Sequence, residues 1–347
     1  METNAIVLAD LEQIVAADLP WQQFYNKTVL VTGANGFLPA YMVKTLLWLN
    51  HKQNANIKVI GLVRNIEKAK LKFKDYLQDA HLELWHTNID APLSHPDNID
   101  FIIHAASQAS PKYYGVDPIG TLSANVLGTY HLLELAATKK VERFLYFSSS
   151  EVYGALAASD SIAESSYGAI DPTQVRSCYA ESKRMGETLC VSFMAQKQVP
   201  VVMARPFHTY GPGLSLDDGR VFADFVANII KREDIVMNSD GSAVRSFCYL
   251  ADATIGFFTV LLNGKAGEAY NVGNPAGAIS IKELATLLVN LYPQLNLKAV
   301  FKTVDPSQYL TSTFNKLCPD ISKINALGWE PTTSVADGFK KTIDSFY

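Results

Sequence analysis

The stretch TVLVTGANGFLPAYMVKTLL, residues 28–47, decides the fold of this chain. A β-favouring run leads into a turn with Gly33 and Gly36, and an apolar helical pattern follows. In a strand–turn–helix unit, the first glycine permits a tight turn and the second lets the backbone approach phosphate groups. Pro39 stands where a third glycine is expected. Because N–H groups in the first turn of a helix lack intrahelical partners, we predict that this proline leaves helix and turn intact.

The same alternation of strand and helix continues to Pro206. Four further apolar runs have strand character, and helical patterns lie between them. These runs are IKVIGLV, IDFIIHAAS, RFLYFSSS and VPVVMARP. Strands that are apolar throughout are typical of a sheet buried on both faces. We therefore predict an α/β fold with a Rossmann-type doubly wound parallel sheet over residues 27–206. A glycine turn after the first strand of such a series favours a nucleotide site over an ordinary βα turn.

Two other regions flank this predicted sheet. Apolar residues recur at helical spacing within residues 1–26, and Pro20 ends the pattern, so we predict a helical N-terminal extension. After residue 206 the regularity loosens at TYGPGLSLDDGR. We expect residues 207–347 to form mainly a smaller C-terminal lobe that binds substrate over the carboxyl edge of the sheet, with some segments returning to the sheet.

Composition excludes several classes of protein. A net charge of −4 gives no support for binding to nucleic acid or to an anionic membrane surface. The N-terminal stretch lacks the basic residues of a secretory signal, and no apolar run has the length of a membrane span. The four cysteines have no CxxC spacing and the seven histidines no ligand spacing, so we predict a cytoplasmic protein with reduced thiols and no metal.

Cofactor preference should be set at the end of the second strand. Arg64 lies there, where a carboxylate would bind the ribose hydroxyls of NAD, and a cation favours the 2′-phosphate of NADP. An Arg64 that stacks on adenine or points to solvent is the alternative. Asn88 follows the third strand and is a candidate contact for the adenine amine.

Three side chains form a candidate catalytic group. In CYAESK, Tyr179 and Lys183 are four residues apart and share one helix face. An ammonium beside a phenol lowers the pKa of the phenol, which predicts that Tyr179 accepts a proton from an alcohol undergoing hydride transfer. Ser149, in FSSSEVYG at the end of a buried strand, adds a hydroxyl at the same sheet edge.

At this point the chain resembles the extended short-chain dehydrogenase/reductases that act on nucleotide sugars, the NAD-dependent epimerase/dehydratase family. The resemblance runs from about Lys27 to Ile343, and within the family it is closest to the UDP-glucuronate decarboxylase branch. The stretches that carry it are ASPKYYGVDPIGTL, SSSEVYG, RSCYAESKRMGETLC, RPFHTYGP, DDGRVFADF, VRSFCYLAD, YNVGNP and LGWEP.

The resemblance implies a bound NAD that is reduced and reoxidised within one turnover, with NADP left open by Arg64. The residues implied to bind the cofactor are Gly33, Asn35, Gly36, Phe37, Leu38, Arg64, Asn88, Ile89, Ala105, Ala106, Ser107, Asn125, Tyr179, Lys183 and Pro206. The residues implied to bind the nucleotide sugar are Ser110, Tyr113, Ser150, His208, Arg220, Val221 and Arg245. Among the catalytic residues, Ser149 and Tyr179 would hold the sugar O4 and Lys183 the nicotinamide ribose.

Glu151 and the two arginines extend the implied site. Dehydratases that act at C5–C6 commonly carry Asp-Glu at the position of Ser150-Glu151. The Ser-Glu pair of this chain is found in decarboxylases and also in dehydratases of the GDP-mannose type. Without an acid at 150 nothing obvious protonates a leaving C6 hydroxyl, whereas decarboxylation needs no such acid. Arg220 and Arg245 are implied to clamp the diphosphate, with Arg245 also near the reacting sugar.

The ligand-facing residues depart from the family pattern at several positions. His208 replaces an asparagine, Gly120 and Ser123 replace lysines, and Arg64 replaces the aspartate that selects NAD. Each departure leaves the candidate catalytic residues unchanged. The sequence therefore defines the type of reaction better than it defines the substrate.

We hypothesise an enzyme that oxidises C4 of a UDP-linked hexuronic acid and thereby decarboxylates it. A 4,6-dehydratase or a 4-epimerase is the alternative enzyme, and a catalytically silent cofactor sensor is the alternative of another class. The family resemblance also implies a homodimer formed by helices near residues 121–138 and 179–196. Their apolar faces could equally be buried against the sheet alone.

Overall fold

The computed structural model describes residues 2–156, 161–237, 239–301 and 316–347. Its strands, in chain order, are β1 (Thr28–Thr32), β2 (Lys58–Val63), β3 (Leu82–His86), β4 (Phe101–His104), β5 (Arg143–Phe147), β6 (Val201–Pro206), β7 (His208–Tyr210), β8 (Ile235–Met237), β9 (Val244–Tyr249), β10 (Ala269–Val272), β11 (Ala278–Ser280), β12 (Ala299–Phe301) and β13 (Lys316–Leu317). The main sheet has seven strands in the order β10-β6-β5-β4-β1-β2-β3. All of its pairings are parallel.

The helices cover both faces of this sheet. They are α1 (Ala5–Val15), α2 (Phe37–Gln53), α3 (Ile66–Lys72), α4 (Pro118–Lys139), α5 (Ser177–Lys197), α6 (Val221–Lys231), α7 (Leu250–Asn263), α8 (Ile281–Leu291), α9 (Ser322–Asn325) and α10 (Val335–Asp344). In β1, Val29 and Val31 belong to the core on the α2 and α7 side, and Leu30 belongs to the core on the α4 and α5 side. The doubly wound Rossmann-type sheet predicted from the sequence is confirmed.

The N-terminal segment contains the helix α1, which is part of the main core. Leu11 and Ile14 of α1 are fully buried. The carboxylate of Asp10, also buried, accepts hydrogen bonds from Tyr41 of α2 at 3.1 Å and from Tyr249 of β9 at 2.7 Å. These bonds join α1 both to the helix that begins at the glycine turn and to a strand of the C-terminal region.

Beyond β6 the chain builds a second, smaller set of strands. β9 pairs with β7, β11 and β13, and β8 pairs with β12. β10 instead returns to the edge of the main sheet beside β6. α7 returns as well, because its Phe257 packs against Phe147 of β5 with ring centroids 4.6 Å apart.

One group of described residues has side chains suited to metal ligation. Ligand atoms of Glu83, His95 and Asp97 all lie within 4.8 Å of one another. The ammonium of Lys58 bonds to both carboxylates, at 2.8 Å from Glu83. This lysine already supplies the positive charge that balances the group. No helix in the described ranges combines the length and the apolar character needed to cross a bilayer.

Candidate active site

The glycine turn between β1 and α2 is tight. Gly33 has φ +63°, and the N–H of Gly36 donates to the carbonyl of Gly33 at 2.7 Å. A Cβ on Gly33 would lie 2.8 Å from the Cα of Ala106, so only glycine fits there. Gly36 is the N-cap of α2 and Pro39 is the third residue of that helix. The predicted tolerance of proline at this position is confirmed.

Thr32 joins this turn to the end of the neighbouring strand β4. Its hydroxyl accepts from the backbone N–H groups of Ala105 and Ala106 at 3.2 and 3.1 Å. The same oxygen lies 2.9 Å from Nδ1 of the buried His104. The carboxyl ends of β1 and β4 are thereby held together, and this edge is where doubly wound sheets bind ligands.

Several features of this edge fit a dinucleotide. No side chain caps the N-terminus of α2, which leaves its first N–H groups available to phosphate oxygens. The Oγ of Ser107 and the Oδ1 of Asn125 are buried without a hydrogen-bond partner among the described residues. Buried polar atoms normally have partners, so these two, both predicted as cofactor contacts, suit a polar ligand such as NAD.

The other predicted cofactor residues divide into exposed and buried positions. Arg64 and Asn88 are exposed at the ends of β2 and β3. The side chain of Ile89 is almost fully buried, in the core on the α4 and α5 side. The remaining members lie half-buried near the carboxyl edge, and they are Asn35, Phe37, Leu38 and Pro206.

The predicted catalytic residues come from two adjacent elements. Ser149 follows β5 and accepts a hydrogen bond from the N–H of Glu151 at 3.2 Å. Tyr179 and Lys183 are buried on α5. The Lys183 ammonium donates to the carbonyl of Phe147 at 2.7 Å and lies 5.8 Å from the centre of the Tyr179 ring. The structure therefore brings all three side chains to one edge of the sheet.

The expected lowering of the Tyr179 pKa is wrong for this structure. Burial and the charge of Glu151 raise the pKa of Tyr179 to about 12, although a hydrogen bond with Ser149 acts to lower it. Burial also lowers the pKa of Lys183 to about 7. Burial is the largest cause of both shifts, and the Lys183 ammonium is bonded to a strand carbonyl rather than to the phenol.

Tyr114 is a site residue that the sequence did not indicate. Its ring stacks on Tyr179 with centroids 4.9 Å apart and planes at 16°. Its hydroxyl donates to the carbonyl of Ala109 at 3.0 Å, which fixes the loop before α4. The preceding Tyr113, predicted to contact substrate, is 39% exposed. No spacing rule distinguishes the two tyrosines, because the choice depends on how the loop folds onto α5.

Glu151 is half-buried at the start of the short turn after β5. Burial raises its pKa, and the positive charges of Arg176 and Arg220 oppose that rise. Nη1 of Arg176 lies 3.6 Å from its Oε2. Arg176 was not identified as a site residue from the sequence. It precedes Tyr179 by three residues, so helical spacing could have indicated it.

A buried ion pair holds α5 against the sheet below these residues. Arg205 of β6 donates to both carboxylate oxygens of Glu187 at 2.8 and 2.7 Å. Ser148 donates to the same carboxylate at 2.6 Å. Glu187 is four residues after Lys183, and its charge acts to raise the lysine pKa. This bidentate pair fixes the helix that carries Tyr179 and Lys183.

The predicted arginines of the C-terminal region converge on His208. β7 pairs with β9, and His208 lies opposite Phe247 in that register, two residues from Arg245. Burial and the charges of Arg245 and Arg220 lower the pKa of His208 to about 3, so its ring is neutral at working pH. Its Nδ1 is buried with no hydrogen-bond partner in the described part of the chain.

Two of the remaining predicted substrate residues, Ser110 and Val221, lie next to Arg220 or to its partner Asp218. The Arg220 guanidinium pairs with Asp218 at 2.5 Å, and Ser110 donates to the carbonyl of Asp218 at 2.5 Å. Val221 is the first residue of α6, directly after Arg220. Ser150 is buried beside Ser149.

Comparisons with known proteins agree with this geometry. The family model described as "NAD dependent epimerase/dehydratase family" matches residues 29–273. UDP-glucuronic acid decarboxylase 6 of Arabidopsis thaliana is 35% identical over 324 residues, which cover 92% of this chain and 89% of the plant protein.

Solved structures show the same fold. dTDP-glucose 4,6-dehydratase of Streptomyces venezuelae, with NAD and TYD bound, has a TM-score of 0.76 at 25% identity and covers 92% of this chain and 96% of its own. UDP-glucuronic acid 4-epimerase of Bacillus cereus, in complex with UDP-glucuronic acid and NAD, has a TM-score of 0.76 at 23% identity, with 92% and 98% covered.

Proposed function

Because this chain belongs to the NAD-dependent epimerase/dehydratase family, we propose that it decarboxylates a UDP-linked hexuronic acid after oxidising the sugar at C4. One observation carries the proposal: Ser149, Tyr179, Lys183 and the carboxylate of Glu151 meet at the carboxyl edge of the sheet, the edge on which the glycine turn also lies. The 35% identity to a plant UDP-glucuronic acid decarboxylase over nearly the whole chain supports the substrate class.

Tyr179 removes the proton from the C4 hydroxyl. NAD, when bound, supplies the acceptor that takes the C4 hydride and returns it, and its positive charge favours the phenolate. The hydrogen bond between Ser149 and Tyr179 acts in the same direction, so the hydroxyl of Ser149 can hold both the phenol and the sugar O4. Lys183, fixed by the Phe147 carbonyl, adds a cation when it is protonated.

Loss of CO₂ follows from the ketone that this oxidation creates. The C5–C6 bond of the 4-keto acid breaks, its electron pair moves towards the C4 oxygen, and C5 then takes up a proton. Glu151 is suited to deliver this proton because burial raises its pKa towards the working range. Ser150, next to it, has no acidic proton for a leaving hydroxyl at C6, which favours decarboxylation over dehydration.

The C-terminal region supplies the groups for the nucleotide part. Arg220 and Arg245 offer guanidinium groups to the diphosphate, and Arg245 also assists on the carboxylate side of the sugar. Arg220 must exchange its pairing with Asp218 to do so. The other substrate contacts that we propose are Ser110, Tyr113, Ser150, His208 and Val221.

The test is incubation of the purified protein and NAD with UDP-glucuronate, followed by mass spectrometry of the nucleotide sugars. The proposal requires CO₂ and either UDP-xylose or a UDP-4-keto-pentose. If none of the common uronic-acid nucleotides loses CO₂, the decarboxylase assignment is wrong.

A dehydratase or an epimerase is the second candidate function. The observation in its favour is that the solved neighbours include a dTDP-glucose 4,6-dehydratase and a UDP-glucuronic acid 4-epimerase. A dehydratase would yield a 4-keto-6-deoxy product, and an epimerase an isomer of unchanged mass. The same mass spectra therefore distinguish the three reactions.

We also propose that the enzyme is a homodimer. α4 and α5 pack side by side, and several of their apolar side chains face away from the sheet. The exposed members are Ile119, Leu122, Leu127, Tyr130, Met185 and Val191. Pairing of these two helices with those of a second copy would cover this surface. Sedimentation of the wild type and of Leu127→Glu measures the expected change from dimer to monomer.

A further inference from the structure

We infer that Arg176 is a further cation, in addition to Arg245, that receives the C6 carboxylate of the sugar, and that Glu151 is its partner only until substrate binds. The inference rests on the proposed function, because it needs a hexuronic acid as substrate. It assigns a specificity-determining role to a side chain that lies outside the residues predicted from the sequence.

The position of Arg176 meets the requirements of such a role. It directly precedes α5 and has helical dihedrals, φ −59° and ψ −25°. The i, i+3 relation therefore places it on the same face as Tyr179, the residue that acts at the neighbouring C4 position. Its side chain is 33% exposed, so a ligand carboxylate can reach it.

The contact between Arg176 and Glu151 is loose. Its 3.6 Å separation is longer than the ~2.7–2.9 Å typical of a charge-assisted hydrogen bond. Burial opposes the charge on Glu151, so this pair is weakly held compared with Arg205 and Glu187. A second carboxylate with better geometry can therefore displace Glu151 from the guanidinium.

Three nearby cations are already committed to other groups. Arg220 is paired with Asp218 at 2.5 Å, and the Lys183 ammonium donates to Phe147 at 2.7 Å. Arg245 donates to the carbonyl of Val244 at 2.8 Å and is buried. Arg176 differs from them because, within the described part of the chain, it forms an ion pair with a residue that the reaction itself uses.

The surroundings of the Tyr114 phenol indicate that Glu151, Arg176 and Arg220 lie close to one another. Burial raises its pKa most, and the charges of Tyr179, Glu151, Arg220 and Arg176 also act on it. Tyr114 in turn stacks on Tyr179. A sugar whose O4 lies at Tyr179 thus has Glu151 and Arg176 within its surroundings.

The chemistry explains why a loose pair suits this reaction. Loss of CO₂ removes the negative charge from C6, so a tight bidentate clamp would stabilise the starting carboxylate and slow its departure. A single arginine to which Glu151 can return stabilises the starting carboxylate less than such a clamp would. Once displaced, Glu151 loses its cation, its pKa rises further, and it becomes a better proton donor for C5.

The test compares equilibrium binding of UDP-glucuronate and of UDP-xylose, which has no carboxylate, to NAD-loaded protein. For Arg176→Met we expect the UDP-glucuronate Kd to rise about 10- to 100-fold, with UDP-xylose changed less than about twofold. Arg176→Lys, which keeps the charge, should recover part of the loss. Arg143→Met, at the opposite end of β5, is the matched control and should change neither Kd.

Steady-state kinetics add a second readout. In Arg176→Met the KM for UDP-glucuronate should rise while kcat does not fall, because the carboxylate interaction is made mainly in the ground state. An unchanged UDP-glucuronate Kd, or an equal loss for UDP-xylose, would overturn the inference. Failure of the wild type to release CO₂ while Arg176→Met still selectively loses UDP-glucuronate would contradict the proposed reaction but not the role of Arg176.

Discussion

The ammonium of Lys183 lies 5.8 Å from the centre of the Tyr179 ring, one helical turn away, and is bonded to Phe147 of β5 rather than to the phenol. The lysine thus ties α5 to the carboxyl end of the sheet. In this arrangement the phenol has a pKa of about 12 and the ammonium one of about 7. Tyr179 therefore depends on Ser149 and on bound ligands to become a base.

Tyr179→Phe tests this dependence. The variant keeps the ring that stacks on Tyr114 and loses only the hydroxyl, so CO₂ release should fall about 10²- to 10⁴-fold with NAD still bound. Turnover and NAD affinity are measured on the same preparation. Tyr167→Phe, at a position 77% exposed, is the control and should retain full activity. A cofactor sensor without catalysis would instead show the same behaviour in both variants.

Gly33→Ala should weaken NAD binding. A side chain at φ +63° is strained, and its Cβ would lie 2.8 Å from the Cα of Ala106, which forces the glycine turn open. We expect at least a tenfold rise in the NAD Kd by calorimetry and a lower Tm. Gly328→Ala is the matched control, because Gly328 has φ +91° with no atom within 4 Å of its Cβ. Equal NAD affinities in both variants would contradict a phosphate-binding role for the turn.

Local patterns account for what the sequence could predict. The apolar run of β1, the glycine turn and the tolerated Pro39 each depend on neighbours in the chain, and the structure agrees with all of them. The stacking of Tyr114 on Tyr179 joins residues 65 positions apart (179 − 114), and no spacing rule relates them. The pKa of Tyr179 likewise follows from its burial, which only the packed structure defines.

Arg64→Asp tests the choice of cofactor. Arg64 is exposed at the end of β2, where the adenosine ribose of a dinucleotide is expected. If its charge attracts a 2′-phosphate, the substitution should raise the NADP Kd about 10- to 100-fold and leave the NAD Kd within about threefold. Parallel titrations with both dinucleotides measure this. An unchanged ratio of the two Kd values would mean that Arg64 has no part in selection.

His208→Asn should change the dependence of stability on pH. The pKa of His208 is lowered to about 3 in the folded protein, whereas an unfolded histidine has a pKa of about 6.5. Between these values the unfolded chain binds the additional proton, so folding stability falls as pH falls from about 6.5 towards 3. The slope for this group reaches at most about 1.4 kcal/mol per pH unit.

Urea unfolding of the wild type and His208→Asn at several pH values from 7 to 4 measures this slope. On acidification the free energy of unfolding should fall faster for the wild type than for His208→Asn. The difference in slope should correspond to at most one proton taken up on unfolding. Parallel curves for the two proteins would show that His208 is not buried in its neutral form.

The central claim is that oxidation at C4 drives loss of C6, and doubly labelled UDP-glucuronate tests it most directly. The substrate carries deuterium at C4 and ¹³C at C6. The account predicts release of ¹³CO₂ together with one of two products. A UDP-pentose should carry the deuterium at C4, whereas a UDP-4-keto-pentose should leave the deuterium on the reduced cofactor. Retention of ¹³C in every nucleotide-sugar product, with no ¹³CO₂, would contradict it.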